Sequence, residues 1–207
     1  ELLRSVDLLC PPSILVNNAN YVNLSYHKEK YKEFFFGQGK VIIKAQVIGT
    51  GRKKMGLIIE TDEYEQSLKL IDDLYHMQHR GQPISMLLIE KKIDAVKEYF
   101  ASITYDLSKK MPMITFLSAG GTDVEKKSEE CRPITMRVDP WRGVADYQLR
   151  DLAKRAGFSG VNIIQMAIFL KKMYRCFTKY DCKSLEINPI MKTTEGLLYA
   201  GDAKIEI

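Results

Sequence analysis

From residue 40 onward the apolar and polar positions change rhythm at short intervals. KVIIKAQVI, MGLIIE, ISMLLIE, EYFASITYD, PMITFLS and PITMRV are short runs rich in β-branched and aromatic residues, the pattern of strands. Between them, residues 62–79 and the segment ADYQLRDLAKRAG, closed by Gly157, carry apolar residues at helical spacing, and a longer apolar helix is predicted over 160–179. SLEINPI and LLYAGDAKIEI flank the turn residues Thr193, Thr194, Glu195 and Gly196 and predict a hairpin. The fold class expected is therefore α+β in two lobes, a smaller one near residues 15–95 and a larger one near 96–207, with breaks at Met111–Pro112 and Gly120–Gly121. Residues 11–39 carry no pattern that places them.

Composition narrows the class without naming it. A chain of 207 residues, 45% hydrophobic and 28% charged, has enough apolar side chains for a real core, which removes disordered and collagen-like proteins. No apolar run reaches the ~20 residues that cross a bilayer, so no membrane association is expected. The net charge of +5 suits anionic ligands such as nucleotides, though many proteins without such ligands share it. Basic residues are not interleaved with clustered aromatics, so nucleic acid is not an expected partner. The cysteines Cys10, Cys131, Cys176 and Cys182 show no CxxC spacing and fit a reducing compartment. The opening ELLRSVDLLCPP has neither an initiator Met nor a signal-peptide layout, so a preceding segment is expected to have been removed.

The most informative stretch is the C-terminal hairpin. A turn centred near Glu195 sets Asn188 opposite Asp202 and Glu186 opposite Lys204, and period-2 alternation puts all four on one face. Opposed Cβ atoms lie about 5 Å apart, close enough for an amide oxygen and a carboxylate to share one hard cation such as Mg²⁺. The plainer reading is that Asn188 and Asp202 only end strands beside a turn.

Upstream, Lys44 lies inside the apolar run VIIKAQV and requires an anionic partner, because an unpaired buried ammonium is costly. The loop after it carries Gly49, Gly51 and Gly56 with Arg52, Lys53 and Lys54, types that cradle phosphate through backbone N–H groups and cations, or that form a solvated basic turn. It is not a Walker A loop. Glu90 and Glu98 flank a short connector where carboxylates could accept hydrogen bonds from an adenine amino group or a ribose hydroxyl, or simply face water. His76 and His79, three apart at the end of the predicted helix, read as solvated rather than metal-binding, and His27 falls in the stretch 11–39 that no pattern places. In RVDPWRG, the arginines Arg137 and Arg142 with Asp139 and Trp141 predict a loop with cation–π packing on Trp141.

KAQVIGTGRKKMG, EKKIDAVKEYFASITYD, SAGGTDVE, LEINPIMKTTEG and GDAKIEI, in this order, resemble the β subunits of succinyl-CoA synthetases, which carry an ATP-grasp domain. The resemblance implies an ATP-grasp fold of two α+β lobes with nucleotide bound between them, and an acid–thiol ligase that uses ATP or GTP with Mg²⁺. It implies that Lys44, Gly51, Arg52 and Lys53 hold the phosphates, that Glu90 and Ile93 lie at the base and Glu98 near the ribose, and that Asn188 and Asp202 hold Mg²⁺. It further implies a partner α subunit that carries a phosphohistidine and binds CoA, a flavodoxin-like domain beyond Ile207, and, for a eukaryotic source, the mitochondrial matrix, otherwise the cytoplasm. No catalytic residue of this chain is implied. Lys53 and Thr50 stand where the family usually has glycine, and the first forty residues match weakly. Two alternatives therefore stay open: a citrate-specific relative (ATP-citrate lyase or citryl-CoA synthetase), or a non-catalytic scaffold that binds nucleotide.

Overall fold

The structure, a computed structural model, describes residues 1–17, 32–34, 39–47, 52, 55–121 and 132–207. The chain divides into two compact units, one formed by Pro11–Lys92 and the other by Glu1–Cys10 with Ile93–Ile207.

The first unit is a four-stranded antiparallel sheet backed by a helix. Its strands are β1 (Ser13–Asn17), β2 (Val41–Ala45), β3 (Ile58–Thr61) and β6 (Met86–Lys91), in the order β1-β6-β2-β3. Alternation sends Val16, Val41, Ile43, Leu87 and Ile89 to one face, where helix α1 (Tyr64–His76) covers them with Ile71 and Leu74. Tyr64, Ser67, Ile71 and Leu74 recur at helical spacing and are the buried stripe of α1. The helix stops at His76, short of the predicted residue 79. Beyond Met77, β4 (Gln78–His79) pairs with β5 (Gln82–Pro83) around Arg80 and Gly81, both at positive φ as a two-residue hairpin turn demands. His79 thus belongs to a strand, and His76 Nδ1 lies 2.8 Å from the Asp72 carbonyl oxygen, so the two histidines do not share a helix end. His27 lies outside the described residues. β1 escapes the sequence pattern because only Val16 of its five residues is fully buried.

The second unit is built on a larger antiparallel sheet. It contains β7 (Lys97–Asp106), β8 (Met111–Leu117), β9 (Ile134–Arg137), β10 (Ser184–Lys192), β11 (Leu198–Ala200) and β12 (Ala203–Glu206). The order is β11-β10-β7-β8-β9, with β12 also on β10. Helices α2 (Asp146–Arg155) and α3 (Val161–Lys179) lie on one face; Leu149, Leu152, Met166, Leu170 and Met173 join Tyr99, Ile103, Phe116, Leu185 and Ile187 in one core. The Gln148 side-chain oxygen accepts the Ala145 N–H at 2.9 Å at the start of α2, and Gly157 at φ +85 ends it, as predicted. Residues 1–10 belong here because Leu3, Val6 and Leu8 are buried in this core and the Ala200 N–H donates to the Leu9 carbonyl at 2.8 Å.

Two features of β10 position the hairpin residues. It pairs with β7 on one side and with β11 and β12 on the other, so its register is fixed twice. Its pairing with β7 shifts between Ile187 and Ile190, where Asn188 and the cis-linked Pro189 are inserted. Leu185, Ile187 and Ile190 therefore all face the helices, while Glu186 and Asn188 face away from them.

The RVDPWRG loop differs from its expectation. Trp141 is 95% exposed and, among the described residues, no cation lies over its ring. Arg137 Nε instead donates to Asp106 Oδ2 at 2.6 Å; the Ser108 hydroxyl, and after it this arginine, hold the Asp106 carboxyl down at about 2. Asp139 Oδ1 accepts the N–H groups of Trp141 and Arg142, so the loop is organised by the aspartate and not by the ring.

Phe116 is fully buried, with the rings of Tyr99 and Phe158 each within 5.8 Å. Phe116→Ala is expected to lower the unfolding free energy of the second unit by about 3–5 kcal/mol in urea titrations; a loss below about 1 kcal/mol would show that this core collapses around the missing ring.

Candidate functional site

The predicted residues fall into two groups, one in each unit. In the first unit, Lys44 on β2 and Glu90 on β6 lie on the sheet face opposite α1, one step diagonal in a register that pairs Ile42 with Glu90 and Lys44 with Leu88. Lys44 Nζ forms an ion pair with Glu90 Oε2, and the two side chains are only 11% and 9% exposed. The anionic partner required for a buried lysine is thus supplied within the sheet. Such a pair is a weak stability device, since stripping both charges of water costs several kcal/mol per ion and hydrophobic replacements do as well or better. At the edge, Glu60 on β3 accepts hydrogen bonds from Lys92 at 2.8 Å and pairs with Lys40 at 3.2 Å; the Lys92 hydrogen bond is the chief reason its carboxyl is held below the usual range.

Of the predicted phosphate loop, Arg52 is described: its Nη1 donates to the Ala45 carbonyl at the end of β2 at 3.4 Å. Gly49, Thr50, Gly51, Lys53 and Lys54 lie outside the described residues. Ile93, half-buried, is in the connector after β6, and Glu98 is exposed on β7.

In the second unit the hairpin pairs as its turn predicts. Glu186 opposes Lys204, Ile187 opposes Ala203, and the Asn188 N–H donates to the Asp202 carbonyl at 3.0 Å, so Asn188 and Asp202 stand side by side. The Gly201 N–H donates to the Pro189 carbonyl at 2.9 Å and continues the clasp past the irregularity. The Asn188 side chain has a second anchor: Oδ1 accepts the Gly121 N–H at 2.8 Å, and Nδ2 donates to the Gly121 carbonyl at 3.4 Å.

Glu186 is the residue that sequence reasoning places on this face without giving it a role. Burial pushes its carboxyl up; Lys204 pulls it down and the nearby Asp202 carboxylate pushes it up again. Its spacing two before Asn188 on one strand face is the signal the sequence offers. Among the described residues, no three His, Cys, Asp or Glu side chains converge. The donor set here is two carboxylates and an amide oxygen, all hard ligands, and Mg²⁺ commonly takes only one or two ligands from protein. An amide oxygen carries two lone pairs, so Oδ1 can accept the Gly121 N–H and still ligate. The residues present therefore fit a divalent cation, whose charge would offset the crowding of Glu186 and Asp202.

Two α+β units, each an antiparallel sheet with helix packed on one face, have the layout of the ATP-grasp class. The chain belongs to this family: the ATP-grasp domain model matches residues 3–192. Over 209 aligned positions it is 32% identical to the β subunit of the ADP-forming succinate–CoA ligase of Methanocaldococcus jannaschii, covering 100% of this chain and 55% of that protein. It is 33% identical over 186 positions to the β subunit of the GDP-forming succinate–CoA ligase of Thermus thermophilus, covering 88% of this chain and 49% of that protein. The chain spans about half the length of the curated relatives it matches. Among solved structures, ATP citrate lyase from Methanothrix soehngenii superposes with a TM-score of 0.70 at 17% identity, over 93% of this chain and 43% of that one. The dinucleotide-forming acetyl-coenzyme A synthetase 1 of Ca. Korarchaeum cryptofilum, in complex with coenzyme A and Ca-AMPCP, superposes with a TM-score of 0.69 at 16% identity, over 99% of this chain and 89% of that one. These likenesses establish the fold. No described helix is long and apolar enough to cross a membrane.

The buried charges have two consequences for stability. Lys44→Met leaves the Glu90 carboxylate buried beside a methyl group and is expected to cost roughly 3–5 kcal/mol in urea unfolding, much of it recovered by adding Glu90→Leu; equal stability of Lys44→Met and wild type would contradict the pairing. For Glu186, whose folded pKa is raised, stability is fully present below the unfolded value of about 4.3 and is lost as pH rises through the folded one. Glu186→Gln is therefore expected to be at least as stable as wild type at neutral pH without divalent metal, with its advantage vanishing on acidification. A variant less stable at neutral pH would contradict the assigned cause.

Proposed function

We propose that this chain is the nucleotide-binding part of an NDP-forming acyl-CoA synthetase of the succinate–CoA ligase type, catalysing NTP + succinate + CoA ⇌ NDP + phosphate + succinyl-CoA together with an α subunit that carries a phosphohistidine and binds CoA. The observation that carries the reading is the hairpin that sets Asn188 beside Asp202, in a chain similar along nearly its whole length to β subunits of such ligases.

Each residue has a task in that reaction. Lys44, Arg52 and the neighbouring Gly51 and Lys53 hold the nucleotide phosphates; an ammonium carries three donors, so Glu90 and a phosphate oxygen can share Lys44. Glu90 and Ile93 lie at the base, and Glu98 accepts a hydrogen bond from the ribose. Asn188 and Asp202, with Glu186 beside them, hold Mg²⁺, which neutralises phosphate charge when bound. The chain's contribution is positioning and charge neutralisation, the larger part of what phosphoryl transfer asks of a protein. ATP and GTP are both open, since the two relatives bear ADP-forming and GDP-forming names.

Calorimetric titration of ADP and of GDP, with and without Mg²⁺, tests this proposal. Magnesium-dependent binding of one of them is expected, weakened about tenfold or more in Asp202→Ala. Added α subunit is expected to become labelled on histidine from γ-labelled nucleotide. Folded protein that binds neither nucleotide would sink the proposal, and binding without histidine labelling would leave a scaffold.

A further inference from the structure

The turn after β8 carries two glycines to which the proposed reaction assigns no task. At Gly120 an added Cβ would overlap the Tyr99 carbonyl of β7, so the backbone there is pressed against the sheet. Gly121 differs in what surrounds it. Its φ is +85, and an added Cβ would run into Oε2 of Glu98. Its N–H and carbonyl groups are engaged by Asn188 Oδ1 and Nδ2 at 2.8 and 3.4 Å. One residue thus touches a carboxylate on β7 and an amide on β10.

The pair of hydrogen bonds to Asn188 decides which way its amide points. Turned over, the amide would set NH₂ against the Gly121 N–H and oxygen against the Gly121 carbonyl, so only one orientation satisfies both. That orientation fixes Oδ1, the atom offered to a cation. On the other side, the absence of a Cβ at Gly121 is what lets the Glu98 carboxylate occupy its place.

We propose that Gly121 is a positioning residue that sets the Glu98 carboxylate and the Asn188 amide together, so that recognition of the nucleotide sugar and binding of the divalent cation are coupled through one backbone position. The ligand class is a ribonucleoside di- or triphosphate with its cation, and the proposal rests on the roles proposed for Glu98 at the ribose and Asn188 at the cation.

The substitution to make is Gly121→Ala, in the whole protein in which this chain occurs. A methyl group there meets the end of a flexible side chain and displaces the Glu98 carboxylate, and at φ +85 it also strains the Gly121 backbone, shifting the N–H and carbonyl groups that hold the Asn188 amide. Two ratios are read by calorimetry: the preference for the ribonucleotide over its 2′,3′-dideoxy analogue, and the gain in nucleotide affinity on adding Mg²⁺. Each is expected to fall about tenfold, the usual effect of losing a group that orients a ligand. The same change in a Glu98→Ala background is expected to have no further effect on the sugar preference, and in an Asn188→Ala background none on the magnesium gain. If Gly121→Ala alone fails to fold, the Gly121→Ala/Glu98→Ala double variant, which removes the obstructing carboxyl, is read against Glu98→Ala for the magnesium gain. Wild-type protein showing neither preference would overturn the underlying reading. Wild type showing both, with Gly121→Ala unchanged or its effects fully additive in both backgrounds, would overturn the role of Gly121 alone.

Discussion

The pairing of β10 on both of its edges is the constraint on which the candidate cation site depends. β7 fixes it on one side, and β11 and β12 fix it on the other, so a one-residue slip would have to break two ladders and turn Leu185 and Ile187 out of the core. With slippage excluded, Asn188 has to lie beside Asp202, and Glu186 has to share its face. The irregularity at Asn188 and Pro189 then lets Ile190 return to the core. The same β7 partner brings Glu98 within reach of Gly121.

Polar groups here sit where core packing alone would not put them. Lys44 interrupts a run of apolar residues and is buried against Glu90; Glu186 is half-buried, and this burial, with the Asp202 carboxylate nearby, pushes its carboxyl up. Neither arrangement is the most stabilising way to hold a sheet together, because each takes charge out of water. Departures of this kind from local consistency concentrate at functional sites. Their placement is intelligible if phosphate and a divalent cation complete the charge balance when bound.

How much of the fold and of the candidate site is legible in the sequence differs from element to element. The hairpin is legible because period-2 alternation and a four-residue turn fix a register almost uniquely. Helix α3 is legible because its apolar positions recur over five turns and glycine precedes it. The end of α1 is not: Met77, Gln78 and His79 continue a plausible helical pattern, and the Arg80–Gly81 turn that pulls them into a strand is decided by backbone conformation. Trp141 departs from its expectation because arginines next to a tryptophan in sequence say nothing about where the ring points; Asp139 shapes the turn and leaves the ring in water. The partner of Lys44 is foreseeable as an anion but not as Glu90, since a diagonal contact across β2 and β6 needs the register of strands far apart in sequence. The contact between Gly121 and Asn188 joins residues 67 positions apart, and no local pattern carries it.

If the face of β10 and β12 bearing Glu186, Asn188 and Asp202 holds the cation of a bound nucleotide, a paramagnetic ion in that place will be felt there first. Replacing Mg²⁺ by Mn²⁺ in the presence of nucleotide, and following the broadening of assigned amide resonances, measures this. Broadening that begins at Gly121, Asn188 and Asp202 and fades with distance from them is the predicted result. Broadening centred elsewhere, or spread weakly over exposed acidic residues with those three amides unchanged, would contradict a cation on this face.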